Sequence, residues 1–280
     1  MRFRRDTAAD LANQIHFRRM RLKLPRASFF GPFLFAALAG AIFTNTALAK
    51  DAARLHYLKA GRPNAAELLA PPPRPGSSEQ SADLALVFAV SKACSSNEMA
   101  LAFSEKRFSI FTFAPAIGSF LAPGKLPQTE AFFERVQQDA ASAVDLDKDY
   151  WKRPRPYTVE PSLVAGKLET SYSYPSGHAT EAAVLALVLA ELFPDRRDAI
   201  LEIGRDIGWH RVWIARHYPT DIYAGRVLAQ AIVRELKASP AFRKDFAKAK
   251  AETASARSSN SMSPACNEGD RRKLVLHDRL

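Results

Sequence analysis

The chain has 280 residues, of which 47% are hydrophobic and 25% charged, and its formal net charge at pH 7 is +11. This composition supplies enough apolar material for one substantial core in a single domain of ordinary size. Removal of residues 1–49, which hold eight Lys or Arg and two Asp, lowers the net charge to +5. Apart from the Lys and Arg residues around 148–155, the remaining positive charge is dispersed, and no nucleic-acid-binding motif accompanies it, so the composition argues against nucleic acid as a partner.

A secretory signal peptide is predicted at residues 1–49. A basic N-terminal region precedes an apolar run from Ala27 to Phe43, and Ala47-Leu48-Ala49 then forms a small-x-small cleavage signal. Cleavage there predicts a periplasmic protein with no stable membrane association. The alternative is an uncleaved single membrane anchor, for which 17 apolar residues that include Pro32 are marginally long.

Residues 50–80 form a proline-rich lead-in, and residues 81–252 show the three- and four-residue apolar spacing of α-helices. The predicted helices are Ala82–Lys92, Ser95–Arg107, Gln128–Val144, Ala179–Phe193, Arg196–Trp209, Pro219–Leu236 and Pro240–Ala251. The stretch from Ala182 to Phe193 is apolar on nearly all sides, which predicts a central helix covered by the others. With no convincing strand pair, the sequence predicts an all-α, compact, single-domain helical bundle. Residues 253–280, rich in Ser, Asn, Arg and Asp, are predicted to form a disordered tail.

The chain contains two cysteines, Cys94 and Cys266. In an oxidising compartment they could form one disulfide that encloses most of the helical region. Two free thiols explain the sequence equally well, so the pairing stays open.

Three polar clusters lie within residues 148–221. They are Lys148 with Arg155-Pro156, Pro175-Ser176-Gly177-His178, and Arg211 with His217 and Asp221. Each cluster taken alone is explained by surface charges, a helix entry or a structural His–Asp pair. Together they supply three cations, a glycine turn before a helix and two histidines, which are the groups needed to transfer a phosphoryl group without a metal ion.

The cations and the glycine turn form the predicted phosphate-binding part. The transition state of phosphoryl transfer spreads negative charge over three oxygens. Arg155 and Arg211 can each donate two N–H bonds to these oxygens, and Lys148 adds a mobile point charge. Gly177 lets the backbone approach an anion closely, and the N–H groups of a helix that starts near His178 would point at the same oxygens. No metal and no other cofactor is therefore expected.

The two histidines are predicted to have separate roles. Pro219 at the first position of a helix would place Asp221 in the opening turn, just beyond His217. A carboxylate that binds one imidazole nitrogen leaves the other able to attack phosphorus, so His217 is the predicted nucleophile. His178 is the predicted general acid for the leaving alkoxide and the later base for water. Because His178 must begin protonated and His217 neutral, the expected pH optimum is acidic to neutral.

These clusters resemble the signature of the type 2 phosphatidic acid phosphatase superfamily, which includes the vanadium haloperoxidases, and more closely that of the bacterial class A non-specific acid phosphatases. The resemblance covers roughly residues 55–253, through Leu69–Pro73, Ser173–His178, Pro240–Phe242 and Lys248–Glu252. It implies the helical bundle of that superfamily, hydrolysis of phosphate monoesters and no metal. The phosphate-binding residues that it implies are Lys148, Arg155, Ser176, Gly177, His178 and Arg211. It also implies that His217 becomes phosphorylated and that Asp221 orients it.

His210 departs from the family pattern, which usually has serine before the arginine of the third cluster. This histidine is either a residue at the rim of the site or a packed neighbour of Trp209 and Trp213. Tyr172 and Ala179 also depart from the glycine and threonine that relatives tend to have at these positions. The mechanism is therefore more transferable than the substrate preference.

Three other functions stay open at the level of sequence. Vanadate held by His217 would give a peroxide-dependent halide oxidation instead of hydrolysis. A zinc or iron site could be built from His178, His210, His217 and Asp221, although the three nearby cations would repel a divalent ion. A non-catalytic module that binds phosphorylated ligands would result if His210 disables the pocket. The natural ester, phosphotransferase activity and homo-oligomerisation are not determined by these motifs.

Overall fold

The computed structural model describes residues 55–262, apart from the side chains of residues 146, 147 and 260–262. The predicted signal peptide and Cys266 lie outside the described residues, so cleavage and the pairing of Cys94 stay predictions. Residues 55–262 contain α-helices and 3₁₀ helices but no strand, which confirms the all-α prediction. The α-helices are α1 Ala65–Leu68, α2 Ser78–Ala93, α3 Ser96–Ser104, α4 Ala114–Ile117, α5 Pro127–Trp151, α6 Pro156–Val159, α7 Gly177–Leu192, α8 Arg197–Trp213, α9 Pro219–Ala238 and α10 Pro240–Met262. The 3₁₀ helices are Ile110–Phe113, Pro161–Leu163 and Pro194–Arg196.

Two helices extend well past their predicted ends. Helix α5 continues beyond Val144 to Trp151, so that Lys148 lies in its last turn. Helix α10 continues to Met262, and the first residues of the predicted disordered tail are therefore helical. The side chain of Thr253 is buried in this extension, and its hydroxyl donates to the carbonyl of Ala249 at 2.8 Å.

Helix α7 is the centre of the fold, as its apolar sequence predicts. It packs against α5, α8 and α9, and its buried residues lie on all of its sides. Leu185 and Leu189 are completely buried in the main core, and Pro194 follows the end of the helix. No helix within residues 55–262 combines the length and the apolar character needed to cross a membrane.

The proline-rich lead-in is attached to the bundle by one buried carboxylate. Asp139 on α5 accepts hydrogen bonds from the backbone N–H groups of His56, Tyr57 and Leu58 at 2.8, 2.7 and 2.9 Å. Further along the segment, the Tyr174 hydroxyl donates to the carbonyl of Ala70 at 2.6 Å. These contacts fix the segment against α5 and against the residues that precede α7.

A glycine allows α9 to approach the N-terminal end of α7. A Cβ atom added at Gly225 would lie 2.7 Å from the Ser176 carbonyl oxygen and 2.9 Å from Thr180 Oγ1.

We expect Gly225→Ala to lower the free energy of unfolding by about 1–3 kcal/mol, because the backbone must move to relieve this overlap. Urea denaturation measures the loss. The exposed Gln230→Ala change on the same helix is the control and should stay within about 0.5 kcal/mol of the wild type. An unchanged Gly225→Ala midpoint would contradict the close packing.

Candidate active site

His217 and Asp221 lie together at the start of α9. Both side chains are buried, and His217 Nδ1 is 3.4 Å from Asp221 Oδ2. The same carboxylate oxygen accepts hydrogen bonds from the Tyr218 backbone N–H at 2.9 Å and from the Ser173 hydroxyl at 2.5 Å. Because a carboxylate can only accept, Nδ1 carries the proton of the neutral ring in this contact. Nε2 is then the nitrogen with an available lone pair, as a nucleophilic role requires.

Arg153 fixes Asp221 from the opposite side and was missed by the sequence analysis. Its Nη1 atom is 2.6 Å from Asp221 Oδ1, and its Nη2 atom is 2.7 Å from Asp83 Oδ2 on α2. The guanidinium carbon also lies 3.9 Å from the centroid of the Tyr218 ring. All three charged side chains are buried. Arg153 therefore connects α2 to the carboxylate that faces the predicted nucleophile.

Arg155 contacts the second nitrogen of the predicted nucleophile. Its Nη1 atom is 3.3 Å from His217 Nε2 and donates to the Arg216 carbonyl at 2.9 Å. Its Nε atom donates to the Ser171 carbonyl at 2.8 Å, and its Nη2 atom forms an ion pair of 2.6 Å with Glu169 Oε2. A phosphoryl group bonded to His217 Nε2 would therefore lie beside this guanidinium group.

Lys148 and the start of α7 form a second positive region. Ser176 is the N-cap residue of α7, and its hydroxyl oxygen accepts a hydrogen bond from the Ala179 N–H at 3.3 Å. A Cβ atom added at Gly177 would lie 3.6 Å from Lys148 Nζ, so the ammonium group lies over the first turn of the helix. Burial and then the charge of Arg155 lower the pKa of Lys148. The positive end of α7 and Lys148 thus act on the same space.

His178 faces the end of α3 from the first turn of α7. Its Nε2 atom is 3.3 Å from the Lys106 carbonyl oxygen, and its ring centroid is 5.8 Å from that of Phe108. Burial, followed by the charges of Arg211 and His217, lowers the pKa of His178 to about 3. The neutral ring is therefore favoured. This differs from the sequence analysis, which expects His178 to begin protonated.

Arg211 and His210 both contact Glu105, which follows α3. Arg211 Nη2 donates to the Ala102 carbonyl and is 3.7 Å from Glu105 Oε2. His210 Nδ1 is 2.8 Å from the same carboxylate oxygen, and its ring centroid is 4.0 Å from that of Trp213. Of the two roles predicted for His210, the packed neighbour of Trp213 is the one that this buried arrangement supports.

A cavity of about 470 Å³ lies beside these cations and includes Arg211, Glu169 and Lys106 in its wall. The buried Nε atom of Arg211 has no hydrogen-bond partner among residues 55–262, so this cation retains a donor for an anion.

Within residues 55–262, no three His, Cys, Asp or Glu side chains form a group suited to a metal ion. Of the predicted site residues, His217 contacts Asp221 through Nδ1 and Arg155 through Nε2.

The two site histidines should make the stability of the protein depend on pH. Burial, followed by the charge of Arg155, lowers the pKa of His217 to about 4 from an ordinary value of 6.5. Burial alone would raise the pKa of Asp221, but the hydrogen bond from His217 and the charge of Arg153 bring it below its usual value. The His217 ring is therefore neutral, and the Asp221 carboxylate charged, at mildly acidic pH.

We expect the free energy of unfolding to fall as the pH is lowered from about 6.5 to about 4. In this window the histidines of the unfolded chain bind protons, whereas His178 and His217 of the folded protein stay neutral. Each can contribute a slope of up to about 1.4 kcal/mol per pH unit. Urea denaturation at several pH values measures the slope, and His178→Asn should reduce it. A pH-independent stability across this window would contradict the assignment.

Comparison with known proteins identifies the family. A family model described as the PAP2 superfamily matches residues 138–244, a range that contains all three polar clusters. The acid phosphatase of Zymomonas mobilis subsp. mobilis is 31% identical over 200 residues, which cover 68% of this chain and 76% of that protein. The non-specific acid phosphatase of Providencia stuartii is 32% identical over 148 residues, which cover 51% of this chain and 60% of that protein.

A solved structure is also similar. It is the crystal structure of a bacterial vanadium-dependent iodoperoxidase, with a TM-score of 0.49 and 17% identity over 62% of this chain and 53% of that chain. The sequence relationship is the stronger finding, since the Zymomonas relative exceeds 30% identity and is covered over three quarters of its length. The PAP2 match also spans the predicted nucleophile, its carboxylate partner and the cations around them. The chain therefore belongs to the PAP2 superfamily.

Proposed function

We propose that this protein is an exported acid phosphatase that hydrolyses phosphate monoesters through a phosphohistidine at His217. The family and its acid phosphatase relatives support phosphatase activity. The main support for the proposed mechanism is the orientation of the His217 ring. Its Nδ1 atom is 3.4 Å from Asp221, and its Nε2 atom is 3.3 Å from an Arg155 donor that suits a phosphate oxygen.

In the first step, the lone pair of His217 Nε2 attacks phosphorus, and the bond from phosphorus to the ester oxygen breaks. Asp221 stabilises the positive charge that develops on the ring, and Arg153 holds Asp221 in position. The cations Lys148, Arg155 and Arg211 balance the charge on the phosphoryl oxygens.

The leaving alkoxide receives a proton from His178. Burial and Arg211 favour the neutral ring, so the substrate has to promote protonation. A bound phosphate anion does this through its charge, and a monoester in its singly charged form also carries a proton into the site. This requirement favours activity at acidic pH.

In the second step, His178 accepts a proton from water, and the hydroxide attacks phosphorus as the bond from phosphorus to Nε2 breaks. Inorganic phosphate leaves and His217 returns to its neutral form. The three cations perform the charge stabilisation that a metal ion performs in other phosphoryl transferases, and we therefore propose a metal-independent reaction.

Rapid quench with a phosphate-labelled monoester tests the proposal. We expect a burst of acid-labile label on the protein, and peptide mapping should locate it at His217. The His56→Ala variant is a suitable control, because His56 belongs to the lead-in and contacts Gln138. Complete turnover without any labelled intermediate, or label at another residue, would refute the phosphohistidine.

Metal and vanadate dependence test the competing chemistries. Activity toward p-nitrophenyl phosphate should survive exhaustive dialysis against EDTA. Added vanadate should inhibit this activity in competition with the substrate, because it resembles the pentacoordinate phosphoryl group. A requirement for vanadate or for a divalent metal would overturn the proposed reaction.

A further inference from the structure

A carboxylate outside the three polar clusters already binds the arginine of the predicted phosphate site. Glu169 lies in the segment between the Pro161–Leu163 turn and α7. Its Oε2 atom is 2.6 Å from Arg155 Nη2, and its Oε1 atom is 3.9 Å from Arg216 Nε. The side chain is 37% exposed and lies in the wall of the cavity that also contacts Arg211.

The position of Glu169 is one that a phosphate oxygen would also occupy. A guanidinium group binds carboxylate and phosphate in the same planar, charge-assisted way. The Arg155 guanidinium forms an ion pair with Glu169 through Nη2 and contacts His217 Nε2 through Nη1, so the carboxylate and the predicted nucleophile lie beside neighbouring nitrogens of one group. A phosphoryl group held for attack by Nε2 therefore competes with Glu169 for Arg155.

The charges of the site explain why such a carboxylate is useful. Arg155 and Arg211 are buried, and a buried cation without an anionic partner is costly. Burial alone would raise the pKa of Glu169, but the charges of Arg155 and Arg216 help to bring it below its usual value, so the carboxylate stays charged beside these cations. It offsets the repulsion among these cations whenever phosphate is not bound.

The local structure allows the side chain alone to leave. The Tyr157 hydroxyl contacts both the N–H and the carbonyl of Glu169 at 3.1 Å. Arg216 Nη2 donates to the carbonyls of Ala165 and Lys167 at 2.6 and 2.7 Å. The backbone is thus held at Glu169 and at two residues that precede it, whereas the partly exposed carboxylate can rotate toward solvent without any opening of the segment.

We propose that Glu169 is an internal counter-anion that occupies the phosphate site between turnovers and is displaced by the phosphoryl group of the substrate. This inference rests on the proposed function, because it concerns the same phosphate site. It makes Glu169 a residue that sets the affinity for phosphate. The carboxylate weakens binding of substrate and product alike, and it thereby promotes the release of inorganic phosphate.

The test is calorimetric titration of the mature protein with inorganic phosphate at one fixed pH. Glu169→Gln keeps the size of the side chain and removes the competing charge, and it should lower the Kd for phosphate about tenfold, the effect of one charge-assisted contact. The inhibition constant of phosphate and the KM for p-nitrophenyl phosphate should fall by a similar factor. Glu160→Gln is the matched control, since Glu160 is partly exposed and contacts Ser162, and the Kd of this variant should equal that of the wild type.

An unchanged or higher Kd in Glu169→Gln would overturn the proposal. Glu169→Asp provides a second variant if Glu169→Gln folds poorly. Its shorter carboxylate should reach Arg155 less well, so this variant should also bind phosphate more tightly than the wild type. Phosphate should raise the Tm of Glu169→Gln more than that of the wild type. The phosphate titration and the Tm shift require no turnover, so they separate the role of Glu169 from the phosphohistidine, whose failure would appear in the labelling experiment.

Discussion

Replacing His217 with alanine is expected to lower kcat for a phosphate monoester by about 10³-fold or more, the scale of loss when a nucleophile is removed. The ring is buried between Asp221 and Arg155, and no other histidine of residues 55–262 has this pair of partners. Without the imidazole, the cations can still bind the ester, but no group can accept the phosphoryl. Steady-state kinetics with p-nitrophenyl phosphate measure the loss, and KM should change much less than kcat.

Two controls separate lost chemistry from lost folding in this variant. Titration with inorganic phosphate should still detect binding to His217→Ala, because Arg155, Lys148 and Arg211 are retained. Added imidazole should restore part of the turnover by entering the space left by the ring. A His217→Ala enzyme that keeps more than a tenth of the wild-type kcat would refute the assignment of the nucleophile.

The second large effect is expected at Arg153, and it concerns stability. Arg153→Met leaves the buried carboxylates of Asp83 and Asp221 without their shared cation. Breaking a buried ion pair in this way typically costs about 3–5 kcal/mol. We therefore expect a loss of that size in the free energy of unfolding, measured by urea denaturation at pH 7. Activity should fall as well, because Asp221 loses the partner that fixes its second oxygen.

A double variant shows whether the loss arises from uncompensated charge. Asp83→Asn added to Arg153→Met removes one of the two carboxylates and should recover part of the stability. Arg226→Met is the matched control on α9, where the side chain is exposed, and it should change stability by less than about 0.5 kcal/mol. A loss below about 1 kcal/mol for Arg153→Met would contradict the role of this arginine as the shared partner.

The helices were predictable wherever the apolar spacing is regular. The predicted helix ends were wrong where this spacing is lost. Helix α5 continues past Val144 through the charged sequence around Lys148, where the pattern gives no signal. Helix α10 continues because Thr253 is buried and because Arg257 forms an ion pair with Asp195 at 2.5 Å. The ion pair joins residues far apart in sequence, whereas the composition of the same stretch predicts disorder.

The candidate site was predictable in its residue types but not in its supporting contacts. His217, Asp221 and Arg155 could be found because their spacing matches a known signature. Arg153 lies two residues before Arg155 and falls outside the signature spacing, so nothing in the linear sequence indicates that its guanidinium binds Asp221. Glu169 belongs to no motif, and its role depends on the path of the chain between two helices.

The attachment of the lead-in by Asp139 has a practical consequence for engineering. Tyr57, near one end of the described region, and Asp245 on α10 meet through a hydrogen bond of 3.1 Å, and Arg135 on α5 binds Asp245 at 2.5 Å. Lys148 lies further along α5, about 14 Å from Asp139 at the rise of an α-helix. The start of the described region is thus attached near the middle of α5, away from the phosphate site. Surface immobilisation or a fused reporter ahead of this attachment should leave the phosphate site accessible to substrate.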